Sequence, residues 1–181
     1  MRIVVSGTHA SGKSTLITDF TARHPGYTVL PDPFDLLDET WDAAGAASFA
    51  AQLRIAASRL LDDDLGGDII AERGPLDFLA YLLALDELTG DAVPRELLVR
   101  SSALTAEALR HADLLVILPL DEGNPLVHDF DEHPELRDAM NDALLDLLED
   151  SDVIGDLTVI ELAGDRDERL AALESAVDAA T

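Results

Sequence analysis

Gly7-Thr8-His9-Ala10-Ser11-Gly12-Lys13-Ser14 fits the spacing G-x-x-x-x-G-K-[ST], in the one context where that spacing has physical meaning. The β-branched run at 1–6 (MRIVVS) reads as a buried strand. Residues 13–24 (KSTLITDFTARH) read as a helix stopped by Pro25-Gly26. Between a strand and a helix, glycines let the backbone N–H groups turn inward around an anion. The helix start adds unpaired N–H groups and a partial positive charge. We therefore expect Gly7, His9, Ala10, Ser11, Gly12, Lys13, Ser14 and Thr15 to form a phosphate-binding loop of the Walker A kind, with His9 a spacer rather than a catalyst. Lys13 is the only lysine in the chain, against eleven arginines. Lysine is a compact point charge and arginine a bulky planar fork, so a closed phosphate loop does not readily exchange one for the other. The Ser14 hydroxyl is expected to bind Mg²⁺ beside the phosphates, with Thr15 assisting.

The rest of the chain alternates. Strands are expected at 27–32, 68–72, 113–120 and 156–162. Helices are expected at 40–64, with a possible break near Gly45 and a stop at Gly66-Gly67, and at 75–89, 95–112, 135–150 and 167–179. Alternation of this kind implies a parallel sheet covered on both faces. The 181 residues suit a single domain, 1–181, and the one long polar segment lies at about 120–137. Hydrophobic residues make up 48% of the chain but aromatics only 4%, so aliphatic side chains must fill the core.

Charge and composition exclude several classes. Twelve basic against 37 acidic residues leave a net charge of −25, which repels nucleic acid and anionic membranes. The acids are scattered, as solubility or a salty cytoplasm would require. A chain without cysteine has neither a disulfide framework nor a thiolate metal site. With no signal-like or membrane-spanning apolar run, we expect a cytoplasmic protein.

In parallel sheets, ligands sit beyond the carboxyl ends of the strands. Asp32 falls there after the second strand, Glu72 and Arg73 after the third, and Gly7 after the first. If these strands are neighbours, the groups share a crevice with the phosphate loop. Asp32 is then placed to take a proton from an attacking hydroxyl, Glu72 to hold Mg²⁺ with Ser14, and Arg73 to stabilise phosphoryl charge.

These residues, with ERGPLDFLAY at 72–81, ADLLVILPL at 112–120 and IELAG at 160–164, resemble the P-loop kinases of nucleosides and nucleotides. They are most similar to the small AAA-type ATPase/kinase group related to the ribosylnicotinamide kinase domain. The resemblance spans nearly the whole chain. It implies a P-loop NTPase fold, with a five-stranded parallel sheet in the order 2-3-1-4-5 and helices on both faces. It also implies a kinase using ATP and Mg²⁺ on a small-molecule acceptor, as a monomer or homodimer. Asp32-Pro33 stands where deoxynucleoside kinases carry their acidic base. Gln52 resembles their base-holding glutamine, and Asp77 matches an aspartate of the small kinase group, so both are expected at the substrate. Two departures stand out. Gly74 replaces a serine, and the lid-like segment at 120–137 holds a single arginine, Arg137, where such kinases usually carry several. The second departure supports an alternative, a nucleotide-binding regulatory ATPase or sensor without a small-molecule acceptor.

Overall fold

The computed structural model describes residues 1–36, 45–90, 93–120 and 134–180. Five strands, β1 (Arg2–Gly7), β2 (Tyr27–Leu30), β3 (Asp68–Glu72), β4 (Leu114–Leu118) and β5 (Thr158–Glu161), form one sheet. Their order is β2-β3-β1-β4-β5 and every pairing is parallel. Strand order reverses at β1, which pairs Val5 with Glu72 on one side and with Val116 on the other.

The helices follow from the period of two along the strands. Ile3 and Val5, with Leu114, Val116 and Leu118, face a core that includes Leu16, Ile17 and Phe20 of α1 (Lys13–Arg23) and Leu170, Leu173 and Val177 of α7 (Arg166–Ala179). Val4, Leu115 and Ile117 face the opposite core. That core is built with α2 (Ala46–Leu60), α3 (Pro75–Thr89), α4 (Arg95–Leu109), α5 (Pro134–Leu148) and the short α6 (Ser151–Ile154). Strands buried on both faces explain the apolar runs that replace alternation in β1 and β4.

The element boundaries differ from expectation for local reasons. The described part of the helix expected at 40–64 begins only at Ala46, after extended backbone at Gly45 (φ −159°, ψ 163°). Residues 40–44 lie outside the described residues. The helix ends at Leu60, well before the glycine pair. There the Arg2 guanidinium donates to the Leu60 carbonyl and, at 3.0 Å and 3.2 Å, to those of Asp62 and Leu65. Asp62 accepts from the Asp64 N–H at 2.9 Å and turns the chain. Strand β4 stops before Pro119, which has no N–H to offer a neighbour. Helix α6 was not expected; Asp150 caps it by accepting from the Asp152 N–H. Residues 121–133, most of the lid-like segment, lie outside the described residues. No helix among the described residues is long and apolar enough to cross a membrane.

Candidate active site

The order β2-β3-β1 makes the three strands neighbours, and their carboxyl ends bring the phosphate loop, Asp32, Glu72 and Arg73 together. The loop turns tightly. Gly7 (φ 151°) and Gly12 (φ 95°) occupy backbone space that favours glycine. A Cβ on Gly7 would lie 2.5 Å from the Leu118 carbonyl oxygen and 2.8 Å from Ser11 Oγ. Among the described residues only two non-glycines have positive φ, Ala10 (58°) and Arg73 (64°), and both are here. Such backbone costs about 1–3 kcal/mol per residue and persists where the surroundings over-determine it.

Lys13 is 4% exposed and folds back over its own loop. Its Nζ donates to the carbonyls of Gly7 (3.0 Å) and Thr8 (2.5 Å) and to Ser11 Oγ (3.3 Å). Burial, with the Arg73 charge nearby, pushes its pKa down to about 7, against the pull of Asp77, Glu72 and Asp32. His9, Ala10 and Thr15 are exposed along the loop and first helical turn.

Ser14 Oγ donates to Glu72 Oε1 at 2.6 Å, bridging the start of α1 and the end of β3. A hydroxyl and a carboxylate at this rim are the hard oxygen donors that Mg²⁺ accepts, with water and phosphate oxygens completing its shell. The residues present therefore fit the ion. No group of three or more His, Cys, Asp or Glu among the described residues makes an all-protein metal cage.

Asp32 does two things at once. Its Oδ1 accepts from the Phe34 N–H at 3.0 Å, starting the 3₁₀ turn Pro33–Leu36, while Oδ2 accepts from Arg73 Nε at 2.7 Å. The turn-former and the charged site residue are the same carboxylate. Arg73 is 7% exposed; its Nη1 donates to the Gly7 carbonyl at 3.0 Å, and its guanidinium lies 5.7 Å from the centre of the Tyr81 ring. Burial opposes its charge, but Tyr81, Asp77 and Asp32 outweigh that and raise its pKa. One carbonyl, that of Gly7, thus accepts from both Lys13 and Arg73.

Two expected substrate contacts are placed differently. Asp77 is wholly buried. Its Oδ2 accepts from Ser6 Oγ (2.6 Å) and the Gly74 N–H (2.9 Å), and its Oδ1 from the Gly7 N–H (2.9 Å). Arg73 Nη1 lies 3.7 Å from Oδ1. An acid in the first turn of α3 reaches back to the N-cap N–H, and this one also braces the phosphate loop from beneath, so it does not open onto the crevice. Gln52 is 4% exposed and donates to Ser48 Oγ at 3.1 Å. Beside it Phe49 and Tyr81 stack at 4.7 Å.

Gly74 also has a steric explanation. A Cβ there would sit 2.6 Å from Val4 Cγ1, inside the core. Sequence reasoning missed Ser6, whose hydroxyl meets Asp77, and Arg169, which donates from α7 to the Ser11 carbonyl at 3.1 Å. A serine in a strand and an arginine on a charged helix carry no local signal of such contacts.

A glycine-rich loop between β1 and α1 of a five-stranded parallel sheet, with a carboxylate–arginine pair facing it, is the architecture of the P-loop fold. Residues 2–169 match the family model of an AAA domain, and the chain belongs to that family. A comparison with curated proteins finds no match. Among solved structures, deoxyadenosine kinase from M. mycoides with bound dATP is similar, with a TM-score of 0.72 and 15% identity over 98% of this chain and 100% of that one. Thymidylate kinase from Candida albicans gives 0.67 at 17% identity, over 98% and 91%. Thymidylate kinase from Ehrlichia chaffeensis gives 0.63 at 13%, over 98% of each. At these identities the likeness is one of fold.

Proposed function

We propose that this protein is an ATP- and Mg²⁺-dependent phosphotransferase that moves the γ-phosphoryl group to a hydroxyl of a nucleoside or nucleotide-like metabolite. The observation that carries the reading is the hydrogen-bonded path from Lys13 through the Gly7 carbonyl and Arg73 to Asp32, which joins the phosphate loop to a carboxylate across the crevice. Loop N–H groups and Lys13 hold the β- and γ-phosphates. Ser14 and Glu72 hold Mg²⁺, which when bound neutralises charge on the phosphate oxygens. Arg73 offers fixed positive charge where phosphoryl charge develops. Asp32, with a charged partner on one oxygen and a turn N–H on the other, retains lone pairs to accept the acceptor's hydroxyl proton. Asp77 acts through the loop it braces. Gln52 would have to release Ser48 to meet the acceptor. The reading assumes a cytoplasmic monomer or homodimer that binds no nucleic acid.

The test is incubation with Mg·ATP and a library of hydroxyl compounds, followed by mass spectrometry for acceptors that gain one phosphoryl group. The single arginine between residues 120 and 137 favours a second reading, a regulatory ATPase or sensor. Tight ATP binding with no phosphorylated product, and an ATPase rate that depends on a partner, would decide for it.

A further inference from the structure

Helix α7 is joined to α1 by ion pairs and apolar packing. Asp165 and Glu168 close a capping box at its start; Asp165 accepts from the Asp167 and Glu168 N–H groups, and Glu168 accepts from that of Asp165. Arg166 makes a two-pronged pair with Asp19 of α1, both contacts at 2.5 Å. Glu174 meets Arg23 at 3.0 Å and His24 at 3.1 Å. Leu170, Leu173 and Val177 pack into the core that α1 shares. Side chains on a helix lean toward its N-terminus, so residue 169, three positions after Arg166 on the same face, is directed at the loop before α1. Arg169 Nη1 donates to the Ser11 carbonyl oxygen at 3.1 Å, and it would lie 3.3 Å from a Cβ on Gly12.

The peptide between Ser11 and Gly12 is planar and trans, so its carbonyl oxygen and the Gly12 N–H point in opposite directions. A donor that holds the oxygen on the α7 side therefore turns the N–H away from α7. Gly12, at φ 95°, has the freedom that would otherwise let this peptide rotate. We propose that Arg169 is a positioning residue for the nucleotide: it holds the Ser11–Gly12 peptide so that the Gly12 N–H faces the phosphates. This rests on the reading of the loop as a nucleotide phosphate site.

The experiment compares wild type with Arg169→Ala, Arg169→Lys and Arg166→Gln, on two readouts. The first is the ¹⁵N amide resonance of Gly12 in protein without nucleotide. The second is Kd for Mg·ATP from a thermal-shift or calorimetric titration. Arg169→Ala should shift and broaden the Gly12 resonance and raise Kd roughly tenfold or more, the scale of a lost hydrogen bond to a charged donor. Arg169→Lys, which keeps a donor, should recover part of both. Arg166→Gln loosens α7 but leaves the Arg169 donor in place, so it should lower Tm and move both readouts less than Arg169→Ala does; an equal effect would overturn a role specific to Arg169. A Gly12 resonance unmoved in Arg169→Ala overturns the anchor, even if Kd rises. A moved resonance with wild-type Kd overturns its service to the nucleotide. Should wild type bind no nucleotide, the phosphate-site reading fails instead, while the Gly12 resonance still decides whether Arg169 fixes the peptide.

Discussion

Lys13 is held by oxygen atoms on one side and crowded by Arg73 on the other. Its ammonium donates to the Gly7 and Thr8 carbonyls, a grip that suits a compact point charge better than a bulky planar fork. Lys13→Ala, and nearly to the same extent Lys13→Arg, should therefore remove the rise in Tm that Mg·ATP gives wild type. Full stabilisation in Lys13→Arg would refute the argument from lysine usage. The pKa near 7 adds a pH effect. Phosphates favour the charged form, so nucleotide raises the pKa of Lys13 and a proton is taken up on binding above about pH 7. Affinity should then fall as pH rises from 7 to 9. Calorimetry in buffers of different ionisation enthalpy should show more proton uptake at pH 8 than at pH 6, and equal values would remove Lys13 as the source. At Asp32, replacement by asparagine keeps the Phe34 turn, because both residues form it. It should leave ATP binding nearly intact and slow acceptor phosphorylation about 10²–10⁴-fold, measured at saturating Mg·ATP. Wild-type turnover would take Asp32 out of the mechanism. The phosphate loop and the residues at the strand ends were legible in sequence because each is a local pattern. The double duty of Asp32 was not, because one of its partners lies forty-one positions away. Nor was the inward turn of Asp77, which depends on Ser6 and Gly7 from another strand.

Elements were legible where they carry their own period and punctuation. Strand β1 and helix α3, with Pro75 in its first turn, match expectation closely. One misjudged end, that of α2, meets a distant partner, the Arg2 guanidinium at the Leu60 carbonyl, whereas that of β4 is set locally by Pro119. The junction of β3 and α3 gives a prediction at this scale. Gly74 has an unremarkable φ of −109°, so its identity is set by space alone. Gly74→Ala forces a Cβ against Val4 Cγ1 and should cost about 1–3 kcal/mol by overpacking. Val4→Ala makes room, so the double variant should be more stable than the sum of the two single changes predicts. Denaturant midpoints measure this. Additive losses would show that β1 and α3 part to admit the methyl group, and that close packing there is not what selects glycine.

Across the whole molecule, 37 acids and 12 bases leave a charge that opposes compactness. The Debye length shrinks from about 10 Å at 0.1 M salt to about 3 Å at 1 M, so added KCl should screen the repulsion and raise Tm by several degrees. A thermal scan in rising KCl measures it, and a flat response would show that the acids stand too far apart to strain the fold. Net charge was read from the sequence at once, and it told nothing of the fold. The reversal of strand order at β1 told more. Asp32, Glu72 and Arg73 all follow strands on the β2 side, whereas Leu118 and Arg169, which confine the loop from behind, belong to the β4–β5 side. The sheet thus divides its labour about a single strand. Changes at the strand ends of the β2 flank therefore leave the backing of the loop from the β4–β5 flank intact, so the two sides of the crevice can vary separately within one short chain.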